Sequence, residues 1–176
     1  NLTNAYWRFI KLSALTYSPA SGLQKLKENI ANYLLLSRQI RCSPEQVIIV
    51  SGSLQSLFVL GSALIDPGDQ VAIENPTFPN VISIFSGMQA QLQPVPVDQY
   101  GLMTQYLSAG KGDCKFVHTT PSCHYPLSHR MSLKRKKALL QWASRHRAYI
   151  IENDYEHEIN NATSYTPPIY TLDSED

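Results

Sequence analysis

Apolar residues recur every three or four positions after Ser21-Gly22. Leu23, Leu26, Ile30, Tyr33 and Leu34 fall on one helical face, with Lys25, Lys27, Glu28 and Asn29 mostly elsewhere, which predicts an amphipathic helix. Ser43-Pro44-Glu45 marks a turn, and Val47-Ile48-Ile49-Val50 is a short continuous apolar run typical of a buried strand. Residues 53–65 are apolar nearly all round and predict a largely buried helix, stopped by Pro67-Gly68-Asp69. Residues 71–73 form the next strand, and Pro76 and Pro79 force a loop. A helix follows over 80–88 with Val81, Ile84 and Phe85 inward, then an edge-like strand over 92–97. Residues 115–118 and 148–152 are further strands. Between them Ser132 is placed to cap a helix running to about Arg145; Arg135 stands where a reciprocal cap needs Glu or Gln, so the cap is partial. Strand and helix alternate throughout. This predicts a three-layer α/β/α fold with a mostly parallel sheet.

Composition narrows the classes. The chain has 176 residues, 43% of them apolar, and a net charge of +1. One domain with a real core is expected, and neither a strongly basic nucleic-acid binder nor an acidic tail is indicated. No apolar run approaches the roughly 20 residues that span a bilayer. Cys42, Cys114 and Cys123 are odd in number and widely spaced, as free thiols in a reducing cytoplasm would be. Cys114, His118, Cys123 and His124 match no standard zinc spacing, so no metal is expected. The sequon at Asn161 is read as chance, and the basic run from Arg130 to Arg147 as a mostly solvated face. The start at Asn1 without an initiator Met, and the polar, proline-containing text beyond Asn160, lead us to expect a fragment.

In open parallel sheets ligands sit beyond the carboxyl ends of the strands. The distinctive blocks fall there. Ser51-Gly52-Ser53-Leu54 joins an apolar run to a helix, where free N–H groups of the first turn favour an anion; an ordinary capped turn is the alternative. Asn75-Pro76-Thr77-Phe78-Pro79 is a stiff loop holding one aromatic ring, which either meets a ligand or simply packs. Pro121-Ser122-Cys123-His124-Tyr125-Pro126 and Ile150-Ile151-Glu152-Asn153-Asp154-Tyr155 follow the last two strands.

Taken in this order, these blocks resemble the cofactor domain of pyridoxal 5'-phosphate (PLP) proteins of the aspartate-aminotransferase type. The nearest match is the aminotransferase-like domain of the MocR-type branch of GntR transcription regulators. The resemblance covers residues 15–172, the first half or so of that domain. It implies that Gly52, Ser53 and Leu54 hold the PLP phosphate, that Phe78 stacks on the pyridine ring, and that Tyr155 reaches the ring hydroxyl. Asn153 takes the place of the Asp that usually keeps the pyridine nitrogen protonated. Either Asp154 serves through a local shift, or the electron sink is weakened, which suits a sensor better than a catalyst. Tyr17, in Tyr17-Ser18-Pro19-Ala20-Ser21-Gly22, corresponds to a tyrosine that reaches the phosphate in the partner subunit, implying a homodimer.

Several expectations follow from departures from the family. Cys123 and His124 stand where His and Gln are usual, and Leu127-Ser128 replaces Thr-Gly. The family's Schiff-base lysine and its carboxylate-binding arginine have no counterpart here, so no catalytic residue is assigned and transamination by these residues alone is not expected. The implied function is a PLP-binding effector or sensor module of a cytoplasmic regulator. It would respond to a small amine or amino acid and contact DNA only through a missing N-terminal winged helix, with no membrane partner. A fragment of a class I/II aminotransferase and an α/β domain without cofactor remain as alternatives.

Overall fold

The computed structural model describes residues 3, 4, 7, 17, 19–109, 114–155 and 166–173. Ser18, the sequon at Asn161 and the acidic end from Ser174 lie outside them. Two compact units divide the chain, residues 1–50 and 51–176.

In the first unit, helix α1 spans Gln24–Arg38. Its buried side is not the predicted stripe: Lys27, Ala31 and Arg38 are buried, whereas Leu23, Leu26 and Tyr33 are exposed. Long basic side chains lay their methylenes along apolar surface and end on a polar partner; the Lys27 ammonium donates to Ser21 Oγ at 3.2 Å. The short 3-10 turn Pro44–Gln46 is held by a reciprocal cap, with the Ser43 N–H donating to Gln46 Oε1 at 2.9 Å. The run 47–50 joins no sheet, contrary to the strand expected. The Ile49 N–H donates to the Ser21 carbonyl at 3.0 Å and Ile48 is exposed. Apolar character alone does not supply a ladder partner. Gly22 is required there: its φ is +103°, and an added Cβ would lie 2.7 Å from Ile49 Cβ.

The second unit runs α2 (Ser53–Leu64), β1 (Gln70–Asn75), α3 (Pro79–Gly87), β2 (Gln91–Asp98), β3 (Gly101–Leu102), a 3-10 turn (Thr104–Ala109), β4 (Cys114–Thr119), α4 (Leu133–His146), β5 (Tyr149–Glu152) and a 3-10 turn (Tyr170–Leu172). The sheet order is β3-β2-β1-β4-β5. β1 is parallel to β2 and β4, and β4 to β5, while the two-residue β3 runs antiparallel to the end of β2. Alternation along β1 and β4 sorts the core into two faces. Val71, Ile73 and Phe116 pack with Leu57 of α2 and with Val81 and Phe85 of α3. Ala72, Val95 and Val117 pack with Leu139, Trp142 and Ala143 of α4. The expected three-layer α/β/α arrangement is therefore present in this unit. Each fully buried large side chain contributes about 1.5–3 kcal/mol.

Two details refine the expectation. Only Leu57 and Gly61 of α2 are buried; Leu54, Phe58, Val59, Leu60 and Leu64 are exposed, so the helix is not the enclosed one predicted. Its single contact face against the sheet decides burial, whatever the residues on the other side. β2 is next to the edge rather than the edge itself, but the two-residue β3 pairs only with Val97 and Asp98 at its end. The Pro96 carbonyl faces the β3 side and accepts from the Met103 N–H at 2.9 Å, so the Pro96 nitrogen, which has no hydrogen to donate, faces that side and not β1. In α4, Ser132 caps as expected, accepting from the Arg135 N–H at 3.2 Å. The basic run is only partly a solvated face. The Arg135 guanidinium donates to the carbonyls of Gly101 and Leu102, at 3.1 and 2.6 Å, and pairs with Asp98 at 3.0 Å. Lys136 is fully buried and donates to the Pro167 carbonyl at 2.7 Å.

Candidate functional site

β1 leads through α3 to β2 on one side, whereas β4 lies on the other side of β1. The strand order thus reverses between β1 and β4, and a crevice opens beyond their carboxyl ends at such a point. A cavity of 250 Å³ lies there, lined by Ser53, Leu54 and Leu57 of α2, Thr77, Phe78 and Val81 after β1, His118, Thr120 and Tyr125 of β4 and its loop, and Asn153 and Tyr155 after β5. Four segments separated in sequence meet in one hollow. Of the residues singled out from sequence, Ser53, Leu54, Phe78, Asn153 and Tyr155 line it. Gly52 stands just outside as the N-cap of α2, and Asp154 lines a neighbouring 350 Å³ hollow between α2 and β5. Tyr17 belongs to the first unit and is fully exposed.

The start of α2 is suited to an anion. Gly52 has φ +100° and no side chain caps the helix, so N–H groups of the first turn are left for an outside acceptor. An added Cβ at Gly52 would meet nothing within 4 Å; the backbone angle, not space, calls for glycine. Phe78 is half-exposed and meets the Tyr125 ring edge-on, with centroids 5.3 Å apart. Asn153 and Tyr155 line this cavity whereas Asp154 does not, although Asn153 also borders the neighbouring hollow; the Asn153 N–H is fixed by the Thr119 carbonyl at 2.9 Å. Among the described residues, no Asp, Glu, Lys or Arg lines the cavity.

Two buried polar groups near the cavity were not singled out as site elements from the sequence. Glu74, at the end of β1, is 2% exposed. Its carboxyl group accepts from both threonine hydroxyls, Thr119 and Thr120, each at 2.6 Å, and from the Thr120 N–H at 3.0 Å. His124 Nε2 lies 3.7 Å from the same carboxyl group and 3.1 Å from the Pro76 carbonyl. A carbonyl only accepts, so Nε2 carries the proton. This cluster ties the end of β1 to β4 and to the loop holding Tyr125. His118 is the contrasting case. It is 1% exposed, and neither ring nitrogen has a hydrogen-bond partner. Burial holds its imidazole neutral, lowering the pKa from 6.5 to about 4. Each unpaired buried polar atom costs about 1–3 kcal/mol. A signal for His118 was available: it and Thr120 sit two apart at a strand end, hence on one face.

Among the described residues no group of His, Cys, Asp or Glu is arranged to hold a metal ion, and no helix is long and apolar enough to cross a membrane. Cys42, Cys114 and Cys123 form no disulfide among the described residues.

The family model for aminotransferase class I and II matches residues 10–155. The chain belongs to this aminotransferase family. Among its relatives, this aminotransferase-family chain is 34% identical over 157 residues to the probable rhizopine catabolism regulatory protein MocR of Rhizobium meliloti, covering 89% of the chain and 31% of that protein. It is 30% identical over 168 residues to the HTH-type pyridoxine biosynthesis transcriptional regulator PdxR of Corynebacterium glutamicum, covering 96% of the chain and 36% of that protein. The chain spans about a third of the length of these regulators. Among solved structures, a kynurenine aminotransferase of Pyrococcus horikoshii, crystallised with PMP, superposes with a TM-score of 0.89 at 28% identity, over 99% of this chain and 45% of that one. The aminotransferase fold is thereby shown for this chain.

Proposed function

We propose that the cavity holds PLP and that the chain acts as the cofactor-sensing part of a MocR-type transcription regulator. One observation carries the reading: an uncapped helix start, an aromatic ring and the polar side chains of Asn153 and Tyr155, from three separate segments, line a single hollow at the switch point of the sheet. These residues fit a flat ring bearing an anionic group. The first turn of α2 and the Ser53 hydroxyl would take the phosphate. Phe78 would lie against the ring, Asn153 would meet the ring nitrogen and Tyr155 a ring oxygen. When bound, PLP supplies an electron sink. An amide at residue 153 carries no charge to hold a pyridinium, so this chain weakens that sink. The regulators among the relatives point the same way. DNA contact is assigned to the helix-turn-helix part of such regulators, the effector to the class of small amines and amino acids, and the exposed Tyr17 to the phosphate site of a second copy.

The second reading, part of an aminotransferase enzyme, is favoured by the structural neighbour with that activity. Equilibrium dialysis of the 176-residue chain against PLP tests cofactor binding. Saturable binding is expected, weakened about tenfold by Phe78→Ala and by Ser53→Ala, as loss of one good contact implies. Absence of saturable binding, or binding indifferent to both changes, overturns the PLP reading. For the parent protein, PLP-dependent occupancy of DNA supports the regulator, and amino-group transfer between an amino acid and a keto acid supports the enzyme.

A further inference from the structure

We propose that His118 is a ligand-contacting residue, whose imidazole completes its hydrogen bonding on a ring heteroatom or ring substituent of the molecule in the cavity. This rests on the cavity being a cofactor site, and it assigns a contact to a residue that neither the sequence blocks nor the fold singled out. Four observations meet on this side chain.

First, it is the described residue in which two buried polar atoms both lack a partner in the chain. Second, it lines the cavity together with Ser53, Phe78, Asn153 and Tyr155. Third, no side chain or backbone group of the described residues bonds to it: on the α3 side it meets the Phe85 ring edge-on, with centroids 6.3 Å apart, and the Thr120 hydroxyl gives its proton to Glu74 at 2.6 Å and so has none for the imidazole. Fourth, at this depth the imidazole is neutral, so it offers one donor and one acceptor to a guest. A side chain serving only to fill space beneath Phe85 would be better apolar. An imidazole that finds its partner in the guest explains both the burial and the missing bonds. It also extends the electrostatic character of the site: with neutral Asn153 and neutral His118, a bound heterocycle meets hydrogen bonds rather than charge.

The test uses the 176-residue chain, with PLP as the probe and His118→Phe and His118→Gln as variants. Three readouts are followed: the PLP dissociation constant, the urea midpoint without PLP, and the imidazole nitrogen resonances of histidine-labelled chain. The expected result is binding weakened at least tenfold in His118→Phe, an unchanged or higher urea midpoint in the same variant, and displaced His118 nitrogen resonances on adding PLP to the wild type. Replacing an unpaired polar group by an apolar one of similar shape is neutral or stabilising, so a gain in stability with a loss in binding is a signature that a merely structural histidine does not give. Wild-type affinity in both variants, with unmoved His118 resonances, overturns the inference while leaving the cofactor reading intact. A wild type that shows no saturable PLP binding overturns the cofactor reading itself. If His118→Phe does not fold, His118→Gln and the wild-type resonances decide the question.

Discussion

Glu74 and His118 sit on adjacent strands, one residue apart in register: Ile73 of β1 stands opposite His118 of β4, so Glu74 follows directly. Both side chains are almost wholly buried, yet they resolve the cost of burial in opposite ways. Glu74 receives three hydrogen bonds from its own chain, whereas His118 receives none. The first is a structural clamp that fixes where β4 ends and where the Tyr125 loop begins. The second leaves its hydrogen bonding open toward a cavity. The difference teaches that burial of a polar group does not by itself mark a site; the direction in which its bonds are completed does.

This contrast can be broken most sharply at the clamp. Glu74→Ala strands two hydroxyls and an N–H in the core, and is expected to cost about 3–5 kcal/mol in urea unfolding. A loss below 1 kcal/mol would mean that Glu74 is not the clamp described. Acid titration sharpens the other side of the comparison. The folded pKa of His118 lies near 4, below its ordinary 6.5, so the unfolded chain binds more protons between these values. Stability should therefore fall as pH drops from about 6.5 to about 4, by about 3 kcal/mol in all. His118→Phe should flatten this slope, measured as urea midpoint against pH. Burial raises the carboxyl pKa of Glu152, partly offset by the N–H groups of Ile169 and Tyr170, and its titration runs the other way, removing stability as pH rises through that value. A residual slope of that sign is expected once His118 is gone. The smallest effect serves as a control. Ser132→Ala removes the cap of α4, on the opposite face of the sheet, and should cost about 1 kcal/mol with PLP binding unchanged.

Much of the fold was legible because it rests on periodicity. The strands over 71–73, 115–118 and 148–152, the helix over 80–88 and the cap at Ser132 are local patterns that the packing confirms. The failures share one cause. Residues 47–50 and α2 were read as buried because they are apolar, but burial requires a partner surface, and α2 meets one along a single face while 47–50 joins no sheet. Lys27 and Lys136 err in the other direction, being cationic and buried because Ser21 and Pro167 wait at the ends of their side chains.

For the site, the order of short blocks along the chain was enough to indicate a family and the loops that form a hollow, because turn chemistry and strand ends are written locally. What the amino-acid text alone determined was which elements exist and which of their ends carry polar or aromatic groups. Only the tertiary structure decided that Asn153 rather than Asp154 faces the cavity, that Glu74 is satisfied, and that His118 is not. Those outcomes depend on which way neighbouring strands and loops turn their side chains in space, and hydrogen bonds between residues some 45 positions apart have no signature in local sequence.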